Sequence, residues 1–262
     1  MNQEILEDLL KQDYPNIQQN IMSFLKKQIL QKKTNGVVFG LSGGIDSATV
    51  AYLCGKLDKE VNNTLALVMP DSAISPSSET GDALKIIGEI GINYKLIDIN
   101  TIHKRYSNYL EPDELALGNL RARIRSNIIY YYANLENRLV LGTSDKSEYL
   151  IGYFTKFGDG SADILPIVSL YKTQLREFAK TIGVPNNVVT KKSSPNLWKE
   201  HDAEEEIGIS YEETDSILYC LIDKKLSIDE TIQKTEISRK SIEKIYHMYE
   251  KSQHKRILPE SV

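Results

Sequence analysis

The sequence predicts an α/β protein with a doubly wound parallel sheet and a helical cap in its C-terminal part. Short apolar runs recur at 37–41, 65–69, 94–99 and 139–141, and segments with helical apolar spacing separate them. That alternation is typical of a parallel sheet with helices on both faces. Ligands of such sheets bind at the carboxyl ends of the strands. A functional site is therefore expected in the loops that follow the strands.

The composition is that of an ordinary globular protein. The chain has 262 residues, 41% hydrophobic and 26% charged, which suffices for a sizeable core. No apolar run approaches the ~20 residues of a membrane span, and the N-terminus lacks a signal-peptide pattern. The net charge of −4 argues against a nucleic-acid coat. Cys54 and Cys220 lie among apolar residues at helical spacing and are predicted to be packed thiols, which suits the cytoplasm.

We expect residues 1–262 to form one domain with three regions. These are N-terminal helices over 3–33, an α/β core over 36–190 and a helical cap over 211–255. The predicted helices are 3–12, 16–33, 78–90, 171–182, 211–224, 227–234 and 238–251. Gly91 and Gly183 are the expected stop signals of two of them. The Ser-, Asn- and acid-rich region 191–210 is predicted to be a loop that becomes ordered on binding.

The loop Gly40-Leu41-Ser42-Gly43-Gly44-Ile45-Asp46-Ser47 follows the first strand and opens a helix. Its glycines let the backbone approach an anion, and the helix start offers free N–H groups, so the loop is suited to phosphate. It is not a Walker loop, because no Gly-Lys-Ser/Thr closes it. The Asp46 carboxylate could bind a metal ion that bridges to phosphate oxygens. The alternative is a plain turn in which Ser42 or Asp46 only caps the helix.

A second segment, Gly118 to Arg125, has three arginines in an acidic protein, which suggests contacts with anions. On a helix, Arg121 and Arg125 lie about 40° apart, whereas Arg123 points the opposite way at ~100° per residue. Arg123 and Arg125 should therefore serve different partners. The alternative is a solvated helix face.

A third segment, Leu141 to Glu148, again ends a strand in glycine and hydroxyl residues before a helix. Asp145-x-x-Glu148 could be a capping box. A second carboxylate beside the Asp46 loop would instead complete a magnesium site with few protein oxygens.

A fourth segment, Gly152 to Asp163, combines three aromatic residues, Lys156 and two aspartates. The aromatic rings could stack on a flat ligand and Lys156 could meet a phosphate or carboxylate. A turn around Gly158-Asp159-Gly160 with ordinary aromatic packing is the alternative.

The first loop resembles the signature of the ATP pyrophosphatases, which cleave ATP between its α and β phosphates. The other three segments, together with Leu170-Tyr171-Lys172, Lys191 to Trp198 and His254-Lys255-Arg256, resemble the NAD synthetases in order and spacing over about 17–260. Two features depart from the family pattern. Pro195 and Asn196 stand where an alanine and an aspartate are usual, and 202–206 lacks the common Asp-Glu placement.

The resemblance implies an adenine nucleotide α-hydrolase-like fold and an ammonia-dependent NAD synthetase. Such an enzyme amidates deamido-NAD through an adenylated intermediate and releases AMP and pyrophosphate. ATP is the implied co-substrate, Mg²⁺ the implied cofactor, and the family is dimeric, with the dinucleotide site at the subunit interface.

The resemblance also implies the site residues. Asp46 and Glu148 would bind Mg²⁺ and, with Lys172, serve catalysis. The residues expected to contact ATP are Gly40, Leu41, Ser42, Gly43, Gly44, Ile45, Asp46, Ser47, Arg125, Thr143, Lys172 and Ser194. Those expected to contact deamido-NAD are Arg123, Lys156, Asp163, His254 and Lys255, with Asp159 a weaker candidate.

Two other functions fit part of the pattern. One is a different amidating or thiolating ATP pyrophosphatase, which a zinc-type cysteine set or an RNA-binding appendage would favour; the sequence has neither. The other is a non-catalytic adenine-nucleotide module, which generally lacks this loop together with the paired acid.

Overall fold

The computed structural model describes residues 2–58, 61, 63–198 and 201–257. A parallel sheet contains β1 (Val37–Gly40), β2 (Thr64–Val68), β3 (Asn93–Leu96) and β4 (Leu139–Val140), in the order β3-β2-β1-β4. All four predicted strands are present. The third ends earlier than predicted, at Leu96, because the chain leaves the regular ladder there, although Ile97 N–H still bonds to Val68 O and Ile99 N–H to Pro70 O.

The α-helices of the described residues are, in order, α1 (Gln3–Leu10), α2 (Tyr14–Lys32), α3 (Ile45–Gly55), α4 (Ser77–Ile90), α5 (Asn100–Ser107), α6 (Glu114–Glu136), α7 (Lys146–Ile151), α8 (Lys172–Ile182), α9 (Asn186–Val189), α10 (Ala203–Ile207), α11 (Tyr211–Leu218), α12 (Ile228–Thr235), α13 (Arg239–Lys251) and α14 (Gln253–Arg256). Gly91 and Gly183 end α4 and α8 in the left-handed conformation, as predicted. None of the helices described is long and apolar enough to cross a membrane.

The two faces of the sheet are covered by different helices. Side chains alternate along a strand, so Val37 and Phe39 pack in one cluster with apolar residues of α2, α3, α4 and α8. Val38 lies in the opposite cluster with residues of α6, such as Ile124. Helices on both faces of a parallel sheet are the predicted doubly wound arrangement.

A third cluster joins the N-terminal and C-terminal helices. Leu9 of α1 is buried there with Ile151 of α7 and with Tyr211, Ile217 and Ile242 of the cap. The cap therefore packs against α7 and α8, and α1 contributes to its core. The assignment of the whole chain to one domain stays a prediction.

Two predictions for the C-terminal part are wrong in detail. The helix predicted over 211–224 is α-helical only to Leu218, and Tyr219–Asp223 forms a π-helical turn that presents Asp223 to Lys146. The loop predicted over 191–210 contains α10, because the Asp202 side chain caps the helix by accepting from Glu204 N–H and Glu205 N–H. Lys199 and Glu200 of that loop lie outside the described residues.

The packing of α2 predicts a contrast between adjacent residues. Leu25 has 0% exposure and Phe24 39%. Leu25→Ala should lower the free energy of unfolding by about 3 kcal/mol because it leaves a cavity. Phe24→Ala should cost less than about 1 kcal/mol. Denaturant unfolding measures both, and equal losses would contradict the assigned face of α2.

Candidate active site

The carboxyl ends of β1 and β4 meet at the point where the chain changes direction in the sheet. From β1 the chain crosses to β2 on one side, whereas β4 pairs with the other side of β1. The loop Gly40–Ser47 and the segment Leu141–Glu148 therefore lie beside each other. Such a switch point is where doubly wound sheets bind ligands.

The loop after β1 is built around its own hydroxyl groups. Ser42 N–H donates to Ser47 Oγ (3.2 Å), and Gly44 N–H donates to Ser42 Oγ (3.2 Å). Gly43 has φ +89°, and a Cβ there would lie 2.3 Å from Glu79 O, so only glycine fits. Gly44 is the N-cap of α3 and Asp46 lies inside the helix. The alternative in which Ser42 or Asp46 merely caps this helix is wrong.

The ammonium group of Lys172 lies at the centre of the site. It is 2.6 Å from Asp46 Oδ1, 2.8 Å from Asp145 Oδ2 and 2.9 Å from Glu148 Oε1, and the Lys172 side chain has 0% exposure. The starts of α3, α7 and α8 supply these four residues. Three carboxylates and one ammonium leave an excess of negative charge.

Burial and charge shift the pKa values of this cluster. Loss of hydration raises the pKa of Glu148 well above its usual range, because the attraction of Lys172 is offset by repulsion from Asp145 and Asp46. Burial lowers the pKa of Lys172, but the attraction of Asp145, Asp46 and Glu148 reverses that effect and raises it well above its usual range. Lys172 therefore stays charged, and the carboxylates favour a further cation.

The carboxylates fit a divalent metal ion. One oxygen each from Asp46, Asp145 and Glu148 lies within 4.8 Å of the others. The buried Asp145 Oδ2 lies 2.8 Å from Lys172 Nζ, and the described residues offer it no second partner. Carboxylate oxygens are the ligands that Mg²⁺ prefers. Asp46 and Glu148 are thus brought together as predicted, and Asp145 joins them.

Asp145 and Glu148 do not form a full capping box. The Asp145 side chain accepts from Glu148 N–H (2.9 Å) and so caps α7. The Glu148 carboxylate instead faces Lys172 and Tyr211, whose hydroxyl donates to it over 3.3 Å. The sequence pattern suggested only the cap, and the long-range contact with Lys172 gives Asp145 its second role.

The three arginines lie on one regular helix, α6, and face different ways. Arg125 donates to Met69 O (3.0 Å) beside the end of β2, and Arg121 binds Asp71 (2.7 Å) and Leu197 O (3.0 Å). Arg123 is exposed, and its Nε lies 3.4 Å from Lys156 O. The alternative of a merely solvated face is wrong for Arg121 and Arg125.

A cavity of about 490 Å³ begins at the loop Gly40–Ser47. Its walls include residues of α4, of α6 and of the segment after α7. Of the residues predicted to contact ATP, Mg²⁺ or deamido-NAD, the following line it: Gly40, Leu41, Ser42, Asp46, Ser47, Arg125, Thr143, Glu148, Asp159, Ser194 and Lys255. Within the described parts of the chain, Gly43, Gly44, Ile45, Lys172, Arg123, Lys156, Asp163 and His254 are not among its lining residues. Lys172 lies behind the acids.

Several residues predicted for deamido-NAD are tied to backbone groups. Lys255 Nζ donates to Gly152 O (2.7 Å) and Phe154 O (2.8 Å). Lys156 Nζ donates to His254 O (2.7 Å), and Asp163 accepts from Val140 N–H (2.8 Å). The segment after α7 is thus joined to the C-terminal helix α14. In the same segment, Asp159 accepts from Thr155 N–H (2.9 Å).

The segment Lys191–Trp198 covers one side of the cavity. Lys191 Nζ pairs with Asp82 (2.6 Å), and Asn196 donates to Glu79. Ser194 Oγ accepts from Asn196 N–H (3.2 Å). Asn196, which departs from the family pattern, therefore positions Ser194, a residue predicted to contact ATP.

The geometry also identifies residues that spacing could not single out. In the cavity wall, Tyr153 OH donates to Glu206 (2.6 Å), His201 Nε2 lies 2.7 Å from the same carboxylate, and Trp198 stacks on His201. Behind the acids lies Asp215 of α11, whose pKa burial raises to about 7. Only the fold brings these residues together.

Comparison with known proteins agrees with this geometry. The model of the NAD synthase family matches residues 17–259. The chain belongs to the NAD synthase family. Its relatives include the NH(3)-dependent NAD(+) synthetases of Aeropyrum pernix, 44% identical over 98% of this chain and 91% of that protein, and of Hyperthermus butylicus, 46% identical over 97% and 92%.

Solved structures of similar proteins have the same fold. The NMN synthetase of Francisella tularensis matches with a TM-score of 0.84 and 33% identity, over 96% of this chain and 99% of that one. The NH3-dependent NAD synthetase of Campylobacter jejuni matches with 0.81 and 32%, over the same shares. The predicted family and fold class are confirmed.

The acid cluster predicts a large loss of activity in two variants. Asp46→Asn and Glu148→Gln should each lower kcat/KM by ~100-fold or more, since a lost metal ligand removes several kcal/mol of charge stabilisation. Steady-state kinetics measures the loss, and circular dichroism checks the fold. Glu177→Gln, an exposed acid paired with Lys180, is the matched control. Near-normal activity of Glu148→Gln would return Glu148 to a helix-capping role.

The arginines predict separable effects on the two substrates. Arg125→Ala should raise KM for ATP and Arg123→Ala KM for deamido-NAD, each by about tenfold, the worth of one charged hydrogen bond. Arg105→Ala, an exposed arginine of α5, is the control. Equal effects of both changes on both substrates would show that the two sites overlap.

Proposed function

We propose that this chain is an ammonia-dependent NAD synthetase that converts deamido-NAD to NAD with ATP. The observation that carries the proposal is the cluster of Asp46, Asp145 and Glu148 beside the loop Gly40–Ser47, in a chain that matches the family over residues 17–259. The two closely related archaeal proteins bear the name of that activity.

The reaction has to give a carboxylate a leaving group. The substrate carboxylate attacks the α-phosphorus of ATP, and pyrophosphate leaves with the electron pair of the broken P–O bond. Ammonia then attacks the acyl carbon, a proton leaves the nitrogen, and AMP departs with the C–O electrons. The protein supplies alignment and positive charge beside the phosphates.

The residues of this chain divide that work. The loop Gly40–Ser47 and the start of α3 offer N–H and hydroxyl groups to the phosphates. Asp46, Glu148 and Asp145 would hold Mg²⁺, which neutralises phosphate charge when bound. Lys172 keeps a positive charge among these acids, and Arg125, Thr143 and Ser194 line the cavity for the rest of ATP.

The direct test is an assay of amide formation. Protein incubated with ATP, Mg²⁺, ammonium and deamido-NAD should release NAD, AMP and pyrophosphate in equal amounts. The corresponding mononucleotide carboxylate is the second arm, because a structural relative is named an NMN synthetase. Product from the mononucleotide alone would replace the proposed substrate, and pyrophosphate release without an amide would replace the proposed reaction.

We also propose a homodimer and a cytoplasmic location. Arg123 and Lys156 of the predicted deamido-NAD set lie outside the cavity of one chain, and a second chain could complete their site. Helix α6, which carries Arg123, also exposes Tyr131 (61%) and Leu135 (62%) one turn apart. The location rests on two buried, unpaired cysteines, which suit a reducing compartment.

The proposed dimer predicts the behaviour of two matched leucine variants. Leu135→Asp should shift the mass in solution from dimer to monomer, because it buries a charge in the interface. Leu30→Asp, with 58% exposure on α2, should leave the dimer intact. Size-exclusion chromatography with light scattering measures both, and a dimeric Leu135→Asp protein would exclude this face.

The nitrogen donor should be free ammonia. Release of ammonia from glutamine usually needs a reactive thiolate, and burial raises the pKa of Cys54 to about 12 and that of Cys220 to about 11. NH₃ is the nucleophile, so at fixed total ammonium the rate should rise with pH as its share grows. NAD formation from glutamine as fast as from ammonium, without another subunit, would contradict this.

A further inference from the structure

Helix α11 of the cap approaches the acid cluster from behind through two residues one turn apart. Tyr211 and Asp215, at i and i+4, share one face of the helix, and both have 0% exposure. Tyr211 OH lies 3.3 Å from Glu148 Oε1, and the Tyr211 ring centroid lies 5.2 Å from Lys172 Nζ. Tyr211 thus contacts the charged ends of the two site residues.

Asp215 contacts the chain neighbours of these two residues, Ser147 before Glu148 and Thr173 after Lys172. Its Oδ2 accepts from Thr173 N–H (2.8 Å) and from Thr173 Oγ1 (2.8 Å), and its Oδ1 accepts from Ser147 Oγ. Ser147 Oγ in turn accepts from Lys172 N–H (2.8 Å). One carboxylate therefore connects the residue before Glu148 with the residue after Lys172.

These bonds satisfy the first backbone donors of α8. The first N–H groups of a helix have no partner within the helix. At α8, Lys172 N–H is bound by Ser147 and Thr173 N–H by Asp215. A negative group is also favoured at the N-terminus of a helix. Asp215 thus fixes the starts of α7 and α8 relative to each other.

We propose that Asp215 is a positioning residue, which holds Glu148 and Lys172 in the geometry that binds the metal ion and nucleotide. The role rests on the proposed function, since it is exerted at the same site. Asp215 acts through Ser147 and Thr173, and Tyr211 of the same helix supports the charged groups directly. Outer carboxylates of this kind change metal affinity or activity by about 10- to 100-fold.

The test measures metal binding without turnover. Mn²⁺ is titrated into the full chain in the presence of α,β-methylene-ATP and followed by electron paramagnetic resonance. Asp215→Asn should weaken Mn²⁺ binding by about tenfold or more, because the neutral amide cannot accept from both Ser147 and Thr173. Asp229→Asn, an equal charge change at an exposed ion pair of the cap, should leave it unchanged.

A second variant separates positioning from mere stability. Ser147→Ala removes the bridging hydroxyl and should weaken Mn²⁺ binding in the same direction, and its effect should not add to that of Asp215→Asn. KM for ammonium should stay within about twofold of the unmodified protein, since a displaced metal site leaves the second step unaffected. Thermal unfolding of each variant is measured alongside.

Normal Mn²⁺ affinity in folded Asp215→Asn, or a lower melting temperature as its only change, overturns the proposal. If Asp215→Asn does not fold, Ser147→Ala decides, and normal Mn²⁺ affinity in that variant overturns it. The titration needs no amide product. Wild-type protein that binds Mn²⁺ and nucleotide but forms no NAD would therefore refute the proposed function and leave the role of Asp215 standing.

Discussion

The ammonium group of Lys172, fully buried among three carboxylates, is the interaction on which the site depends. An isolated buried charge is strongly unfavourable, so each member of the cluster needs the others. Removal of Lys172 would leave three carboxylates together, and removal of the acids would leave an ammonium without a counterion. The cluster of three carboxylates and one ammonium group still has more negative than positive groups. This excess of negative charge therefore favours the binding of a divalent cation beside the loop Gly40–Ser47.

The fold serves to bring the starts of three helices to this point. Helix α3 follows β1, α7 follows β4, and α8 follows the segment in which Ile164 pairs with Leu141. Of these helix starts, that of α3 has no side-chain cap, so it offers N–H groups and positive partial charge, which suit phosphate. The N-terminal and C-terminal helices hold the arrangement from outside. Gln174 Nε2 donates to Leu9 O of α1 (2.8 Å), and Asp215 of α11 binds α7 and α8. The cap is thus a structural support of the site.

Sequence patterns predict the features that depend on residues close together in the chain. They do not predict contacts between residues that are far apart in the sequence. The strands, the glycine stops and the loop Gly40–Ser47 could be predicted because each depends on residues close together in sequence. The same holds for the split between Arg123 and Arg125, which needs only a regular helix. The second role of Asp145 could not be predicted, since it depends on Lys172, which belongs to a different helix, α8. Asp215 lies still farther along the chain, and its sequence neighbours indicate only an amphipathic helix.

The placement of the predicted deamido-NAD residues follows the same division of the molecule. Helix α6 separates the cavity, into which Arg125 faces, from the surface on which Arg123 meets Lys156. Lys156 in turn holds α14 through His254 O, and Lys255 joins α14 to the cavity wall at Gly152 and Phe154. Helix α14 therefore contributes Lys255 to the cavity wall and His254 to the contacts outside it. Because that surface is open, a ligand held there by charge alone would compete with salt. A second protein wall would exclude water and strengthen every polar contact, and this physical argument supports the homodimer proposed above.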